Sequence, residues 1–313
     1  MLEALLQEAL IITIIASTIR GCLPMLLSAL GETFVEAAGV LNLGIEGIMV
    51  AGAFTAFLVG LNTDFLPLGF LAAAAVGAVL GLVFAFLTVT LGVNQIVVGL
   101  GMTIFGHSAS SLLHRVIFGN QFPIIFGAGQ TTEIPFLSKI PVIGPSVFNQ
   151  HWLVYVTLLS VPFFYFLLYK TSLGLRVRAV GETPWAADAA GVSVFRTRYW
   201  TIIMGCTLAS VGGAFLAIGD LAFFVPDMVQ GRGYIAIVIV MLGKWDPAKV
   251  FLGSLLFGFA LSLTSALQIT GASISPDFIL MMPYLVVILT LIIFARSTSL
   301  PAALCMPYQR GER

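Results

Sequence analysis

Charge is what this chain lacks most. Asp, Glu, Lys and Arg make up 9% of its 313 residues, where a soluble domain carries about 25%. Cysteine is scarce as well. Cys22, Cys206 and Cys305 are too few and too scattered for a disulfide framework or a zinc site, which leaves them as packing residues. Of the three histidines, His107 and His114 fall seven apart on one helix face and His151 stands alone. A zinc or bis-imidazole haem site wants further ligands, so polar packing or lining of a path is the expected role of that pair. Formal net charge is zero, which gives no basic surface for nucleic acid. The only Gly-Lys pair, Gly243-Lys244, is followed by Trp245, so there is no P-loop to cradle nucleotide phosphates. Any use of ATP then requires a nucleotide site on another chain. The segment Met1 to Glu8 has no basic n-region and no small-residue cleavage site, and reads as part of the mature protein.

What is present is apolar. Hydrophobic residues make up 59% of the chain, and mean hydropathy is +1.07. Residues 65–114, 140–169, 199–219, 250–276 and 278–295 contain no Asp, Glu, Lys or Arg. A helix needs about 20 apolar residues to cross a bilayer. Only helices and closed barrels satisfy the backbone in lipid, and barrel strands would show short alternating segments. These continuous runs predict an all-α, polytopic transmembrane bundle of about 8–10 spans, as one domain over residues 1–313. Spans are expected at 9–30, 43–61, 66–91, 95–117, 151–169, 199–219, 233–243, 249–268 and 278–295. The seventh is too short to cross alone and is expected to break near 243–247.

The few charges are unevenly placed. Lys170, Arg176, Arg178, Arg196 and Arg198 put five of the 14 basic residues between 170 and 198. Basic loops lie on the cytoplasmic side. Residues 170–198 are therefore expected inside, with Lys244, Lys249, Arg296, Arg310 and Arg313, whereas 62–64, 118–150 and 275–277 fall outside. Counting back puts the N-terminus outside. Within the basic loop, Pro184 can open a short helix and Gly191 can close it. Ala186, Ala187, Ala189 and Ala190 would give that helix a slim surface. With no catalytic set nearby, it reads as a docking surface for a cytoplasmic partner.

Ion-coupled carriers bury carboxylates in mid-span. Here Glu32, Glu36, Glu46, Asp220, Asp227 and Asp246 cluster at the expected span ends, with Glu46 the nearest to a path residue. Favourable placement at a helix N-terminus explains Glu46 as well. Asn42, Asn94 and Gln95 are neutral amides able to hydrogen-bond a polar solute, or equally to bridge helices. Some of the 25 phenylalanines could stack on a planar ring. Arg232 is expected near the outer surface. Gly31-Glu-Thr33 with Ala37-Ala-Gly-Val40 echoes Gly181-Glu-Thr183 with Ala189-Ala-Gly-Val192, which raises the possibility of two related halves.

Three blocks carry a resemblance. Ala38-Gly-Val-Leu-Asn-Leu-Gly-Ile-Glu-Gly47 resembles the signature after the first span in bacterial ABC-transporter permeases of the ribose, nucleoside and branched-chain amino-acid type. Gly181-Glu-Thr-Pro184 through Asp188-Ala-Ala-Gly191 resembles the cytoplasmic coupling segment of that family. Gly231-Arg-Gly-Tyr-Ile-Ala236 with Gly243-Lys-Trp-Asp-Pro247 resembles a third block, although Lys244 stands where many relatives have Gly. The first and third are nearest the nucleoside (basic membrane protein-associated) branch. The resemblance implies an importer permease in the bacterial inner membrane that is not itself an enzyme. Its partners would be a second permease chain (the same or different), two ATP-binding subunits and an extracytoplasmic binding protein; ATP would be bound only by the separate subunits. It also implies an ATPase-coupling set of Gly181, Glu182, Pro184, Ala187, Asp188, Ala190, Gly191 and Arg196. Asn42, Glu46, Asn94 and Gln95 are the candidates for the solute path. The alternatives are a simple-sugar or branched-chain amino-acid permease, an ion-coupled carrier, or a membrane enzyme, for which His107 and His114 are the one hint.

Overall fold

A computed structural model of the chain describes residues 8–309 except 64, 126, 128, 136, 270–274 and 295–299. Each of the nine apolar runs carries a helix. In chain order the helices are α1 (Glu8–Ala37), α2 (Ile45–Thr63), α3 (Leu66–Ala85), α4 (Gln95–Phe118), α5 (Ile143–Val147), α6 (Trp152–Lys170), α7 (Ser172–Glu182), α8 (Pro184–Ala189), α9 (Val194–Ala214), α10 (Arg232–Gly243), α11 (Pro247–Ile269) and α12 (Pro276–Phe294). Short π-helical turns, Phe86–Thr90 and Phe215–Leu221, extend α3 and α9. Among the described residues, α1, α2, α3, α4, α6, α9 and α11 are long and apolar enough to cross a membrane, and α10 and α12 are shorter apolar helices. The protein is a multi-pass, all-α membrane protein.

The first helix runs seven residues past the expected end at 30. Gly31-Glu-Thr-Phe-Val-Glu36 contains no strong breaker, and the helix stops only where Gly39 takes φ +82. There the Val40 N–H donates to the Val35 carbonyl and the Gly39 N–H to the Glu36 carbonyl, a Schellman stop. Glu32 and Glu36 thus lie inside α1, fully buried, instead of in a loop. The echoed Ala-Ala-Gly-Val forms the same device at the end of α8. Gly191 has φ +84, Val192 donates to Ala187 and Gly191 donates to Asp188. The rest of the echo diverges, since Gly31-Glu-Thr33 is helix interior and Gly181-Glu-Thr183 joins two short helices.

The centre of the bundle is α2 and α9, whose spans are 67% and 72% buried, against 28–33% for α3, α4 and α6. Apolar side chains give no reason for one helix to prefer another over lipid, so close approach must hold them. A Cβ at Gly213 would collide with the Met49 carbonyl, and one at Gly31 would lie 2.8 Å from Gly205. Ser210 adds an interhelical bond, its hydroxyl donating to the Ala73 carbonyl at 2.6 Å.

The connections sort to two ends. At one, Gln95 accepts from Leu41 N–H, Ala303 N–H donates to Gly181, and the Tyr169 hydroxyl donates to the Trp245 carbonyl. At the other, Ile125 N–H donates to Ala222, and a two-residue antiparallel pair, Thr132–Glu133 with Asn149–Gln150, ties the 119–151 segment together. The described residues of that segment therefore lie at the end opposite 171–193.

His151 caps α6 at this second end. Its Nδ1 accepts from Leu153 N–H at 3.2 Å, among the rings of Phe70, Trp152 and Phe215. Burial pushes the imidazole pKa down to about 4, whereas the unfolded chain takes up the proton near pH ~6.5. The folded state therefore keeps its full stability above pH ~6.5 and loses it as pH falls from there through about 4. In detergent, the thermal midpoint is expected to drop by several degrees between pH 7.5 and pH 5. His151→Asn, whose amide oxygen can cap in the same way, should remove this component. The same pH dependence in both proteins would show that His151 is not its source.

Candidate functional site

The polar segment between α6 and α9 is built by caps. Thr171 Oγ1 accepts from Gly174 N–H to start α7, Pro184 occupies the first turn of α8, and Ser193 Oγ accepts from Arg196 N–H to start α9. The segment is braced on the core at three points. Gly181 packs on the carbonyl of Ala37, with no room for a Cβ. Pro184 is buried, and Ala187 joins Val180, Val194 and Tyr308 in a small apolar cluster. The eight expected coupling residues therefore divide. Gly181, Pro184 and Ala187 face inward as anchors, Asp188 is half-buried, and Glu182, Ala190, Gly191 and Arg196 are exposed. Ala186 and Ala189 are exposed beside them, as is Trp185.

Of the five cations in this region, Arg198 is no surface charge. It is fully buried, with Nε donating to the Ala38 carbonyl at 3.2 Å and Nη1 to the Met306 carbonyl at 3.1 Å. It joins the end of α1, the start of α9 and the C-terminal tail. The tail's part was not legible from its sequence, although Tyr308, an aromatic in a short polar stretch, was the available signal. Its ring packs near Trp185 and Phe195.

The four expected path residues do not converge on one cavity. Asn94 caps α4, its Oδ1 accepting from Ile96 and Val97 N–H. Gln95 is buried on Leu41. These two line a cavity of about 190 Å3 at the end that carries α7 and α8, beside Cys305 and Pro307. Asn42 is buried elsewhere. Its Oδ1 accepts from Gly44 N–H, its amide contacts Cys206 Sγ at 3.4 Å, and its backbone N–H donates to Glu32.

Glu46 has the most telling position. Its two carboxylate oxygens accept from Gly231 and Gly233 N–H, both at 2.7 Å. Helix α10 has no cap of its own, since Gly231 lacks a side chain and sits at φ +78. With 12 residues it rises only about 18 Å, short of the ~30 Å hydrocarbon core. Its first N–H groups are partly or fully buried in the bundle, and the positive end of the helix meets a carboxylate from α2. At its other end Lys244 and Trp245 turn through positive φ into α11, and Trp245 Nε1 donates to Glu36 at 2.8 Å. The break expected near 243–247 is this turn. Glu46 thus joins the first and third sequence blocks, and Glu36, just before the first block, holds Trp245 of the third.

A polar cluster escaped the sequence reading. Ser17, Arg20, Asp220, Arg232, Ser262 and Ser265 line a second cavity of about 190 Å3 among α1, the π-turn after α9, α10 and α11. Arg232 does not stand free at the outer surface. Its Nη1 donates to the Met228 and Val229 carbonyls. The Nε atoms of Arg20 and Arg232 are buried without a hydrogen-bond partner. Arg20 is the sole cation in the first 114 residues, in the middle of an apolar run, and that isolation was a readable signal.

His114 is buried in an aromatic nest of Phe57, Phe118, Phe122 and Phe224. Among the described residues no group of three or more His, Cys, Asp and Glu is placed to hold a metal ion.

A multi-pass bundle with a half-helix capped by a neighbouring helix, a charged cavity and a braced polar surface at one end has the parts of a membrane transport subunit. The chain matches the family described as "Branched-chain amino acid transport system / permease component" over residues 14–293, and it belongs to that family. It is 33% identical over 312 residues to a guanosine ABC transporter permease protein of Bacillus subtilis, covering 96% of this chain and 97% of that one. It is 33% identical over 300 residues to a nucleoside ABC transporter permease protein of Lactococcus lactis, covering 93% and 94%. A Haloferax volcanii protein named as a candidate glucose ABC transporter permease is 38% identical over 267 residues, covering 83% and 78%. No solved structure matches.

Proposed function

We propose that this chain is the membrane-spanning subunit of an ATP-driven importer of nucleosides in a bacterial inner membrane. It forms the solute path with a second permease chain, alike or different. Two separate ATP-binding subunits drive it, and an extracytoplasmic binding protein delivers the solute. The observation that carries this reading is the α7–α8 surface, exposed outward and braced inward on α1, in a chain that lacks a P-loop. On this reading, 170–198 and the C-terminus are cytoplasmic, ATP is bound only by the partner subunits, and the chain catalyses no reaction itself. Closure of the ATPase dimer pushes on α8. Gly181 and Arg198 pass that push to α1 and α9 as rigid-body motion, and the path opens to the other side. The names of the Bacillus and Lactococcus relatives support nucleosides as solute, and the Haloferax relative keeps simple sugars as the alternative.

The test uses cells or vesicles carrying the full complex. Uptake of labelled guanosine should require this chain, and excess glucose, ribose or leucine should compete weakly. Glucose uptake without guanosine uptake would move the protein to the sugar branch. The purified chain alone should show no ATP hydrolysis, and appreciable hydrolysis would remove the transport scheme.

A further inference from the structure

We propose that the cavity lined by Ser17, Arg20, Asp220, Arg232, Ser262 and Ser265 is a solute-contact site that recognises vicinal hydroxyl groups of a sugar ring. The inference rests on the transport reading above and names the site and chemistry behind it.

The two guanidiniums favour water or a polar ligand in this cavity. A guanidinium facing lipid at mid-span costs about 2.5–3.5 kcal/mol even on the most lenient scale, so such groups face a polar interior. Here two guanidiniums share one cavity with Asp220.

The arrangement of charge indicates the class of ligand. The cavity carries two cations and one carboxylate. A phosphate or carboxylate ligand would meet Asp220, and a cationic ligand would meet Arg20 and Arg232. A neutral ligand that both donates and accepts suits the set. Asp220 accepts from two adjacent hydroxyls, and the arginines donate to the oxygens of those hydroxyls. The Ser17 hydroxyl extends the polar wall, whereas Ser262 already donates to the Ile14 carbonyl and Ser265 to the Leu261 carbonyl. A guanine base also donates and accepts, but the solutes named for the relatives, nucleosides and glucose, share a sugar and not a base, so the sugar is the part assigned. That chemistry is common to a nucleoside and a free hexose. A volume of about 190 Å3 suits one sugar ring rather than a whole nucleoside.

The backbone around the cavity fits a site in a path. Asp220 lies in the π-helical turn after α9, followed by Ala222 in the left-handed region at φ +65. Turns of this type recur at functional positions. Arg232 lies between Gly231 and Gly233, whose N–H groups Glu46 holds. One wall of the cavity is therefore fixed to α2, and movement of α2 or α10 changes the cavity.

The experiment places a reporter cysteine in the wall. Ser265→Cys is made in a Cys305→Ser background; Cys22 and Cys206 are buried. The full complex in vesicles is treated with a charged, membrane-impermeant thiosulfonate reagent. Labelling is expected, with strong protection by guanosine during turnover and little by 2′,3′-dideoxyguanosine, which lacks the diol. Protection by glucose but not guanosine would leave the site standing and assign it to free sugars. No labelling, or labelling that guanosine, dideoxyguanosine and glucose leave alike, would overturn the site. Equal protection by guanosine and dideoxyguanosine would overturn the diol assignment. A second arm uses Asp220→Asn, with copurified ATPase subunits reporting assembly. Uptake is expected to fall about tenfold, equivalent to about 1.4 kcal/mol, and retained wild-type uptake would also overturn the site. Labelled guanosine and glucose uptake by the wild-type complex is measured in parallel. If neither solute enters, the transport reading has failed; if either enters but the cysteine and Asp220 results are negative, only this inference has.

Discussion

A tryptophan at Ala190 is expected to abolish most solute uptake while leaving the chain folded and inserted. Ala190 is exposed at the end of α8, with φ −81 and ψ 5, a conformation open to any residue. A large ring there touches no core side chain and strains no backbone. Its effect then falls on whatever docks against α8. A docked surface of this kind is close-packed, so an intruding indole separates the two faces. A loss of about 1.4 kcal/mol corresponds to about tenfold in binding, and a central clash exceeds that. The measurement is uptake by the full complex together with copurification of the ATPase subunits. Both should fall for Ala190→Trp and stay near normal for Ala190→Ser. Ala187→Trp is the contrasting variant. It enters the cluster of Val180, Val194 and Tyr308, so it should lower chain yield and thermal midpoint as well. Gly191→Trp would be harder to interpret, because φ +84 disfavours any side chain and the helix stop itself would suffer. Normal uptake and normal copurification with Ala190→Trp would remove α8 from the coupling surface.

Glu46→Ala is expected to damage both stability and uptake severely. The change removes both acceptors from Gly231 and Gly233 N–H. Each buried N–H left bare costs about 1–3 kcal/mol, and the charge-assisted character of the bonds raises the figure. The sum is a large share of the roughly 5–15 kcal/mol that holds a typical domain. Glu46→Gln keeps one acceptor oxygen and should fall between wild type and alanine. The thermal midpoint in detergent should follow the order Glu, Gln, Ala, and uptake should follow it too. A solute-contact role alone would look different. Glu46→Ala would then raise the KM for uptake and leave the thermal midpoint where it was, and that result would displace the capping role.

The nine helices were legible because lipid leaves so few choices. A run of about 20 residues without charge can only be a spanning helix or a buried one. Pro184 and Gly191 bounded α8 correctly because both act through local backbone geometry. The end of α1 was misplaced for the opposite reason. Glu32 and Glu36 look like loop residues in a line of text, yet Asn42 and Trp245, 10 and 209 positions away, supply their partners. Arg198 was counted as a loop cation for the same reason, since its partners are Ala38 and Met306.

By itself the sequence determined the class of the protein, the existence and approximate positions of its apolar helices, the short α8 and the break before Pro247. These follow from hydrophobicity, length and the φ preferences of proline and glycine, which are properties of neighbouring residues. Only the tertiary structure decided what the polar residues do. Glu46 caps α10 from 185 positions away, and Ala187 faces in while Ala190 faces out. Arg20, Asp220 and Arg232 come from three separate segments to line one cavity. A polar group in a bundle with little water takes its role from the partner that satisfies it, and in this chain those partners lie far away along the sequence.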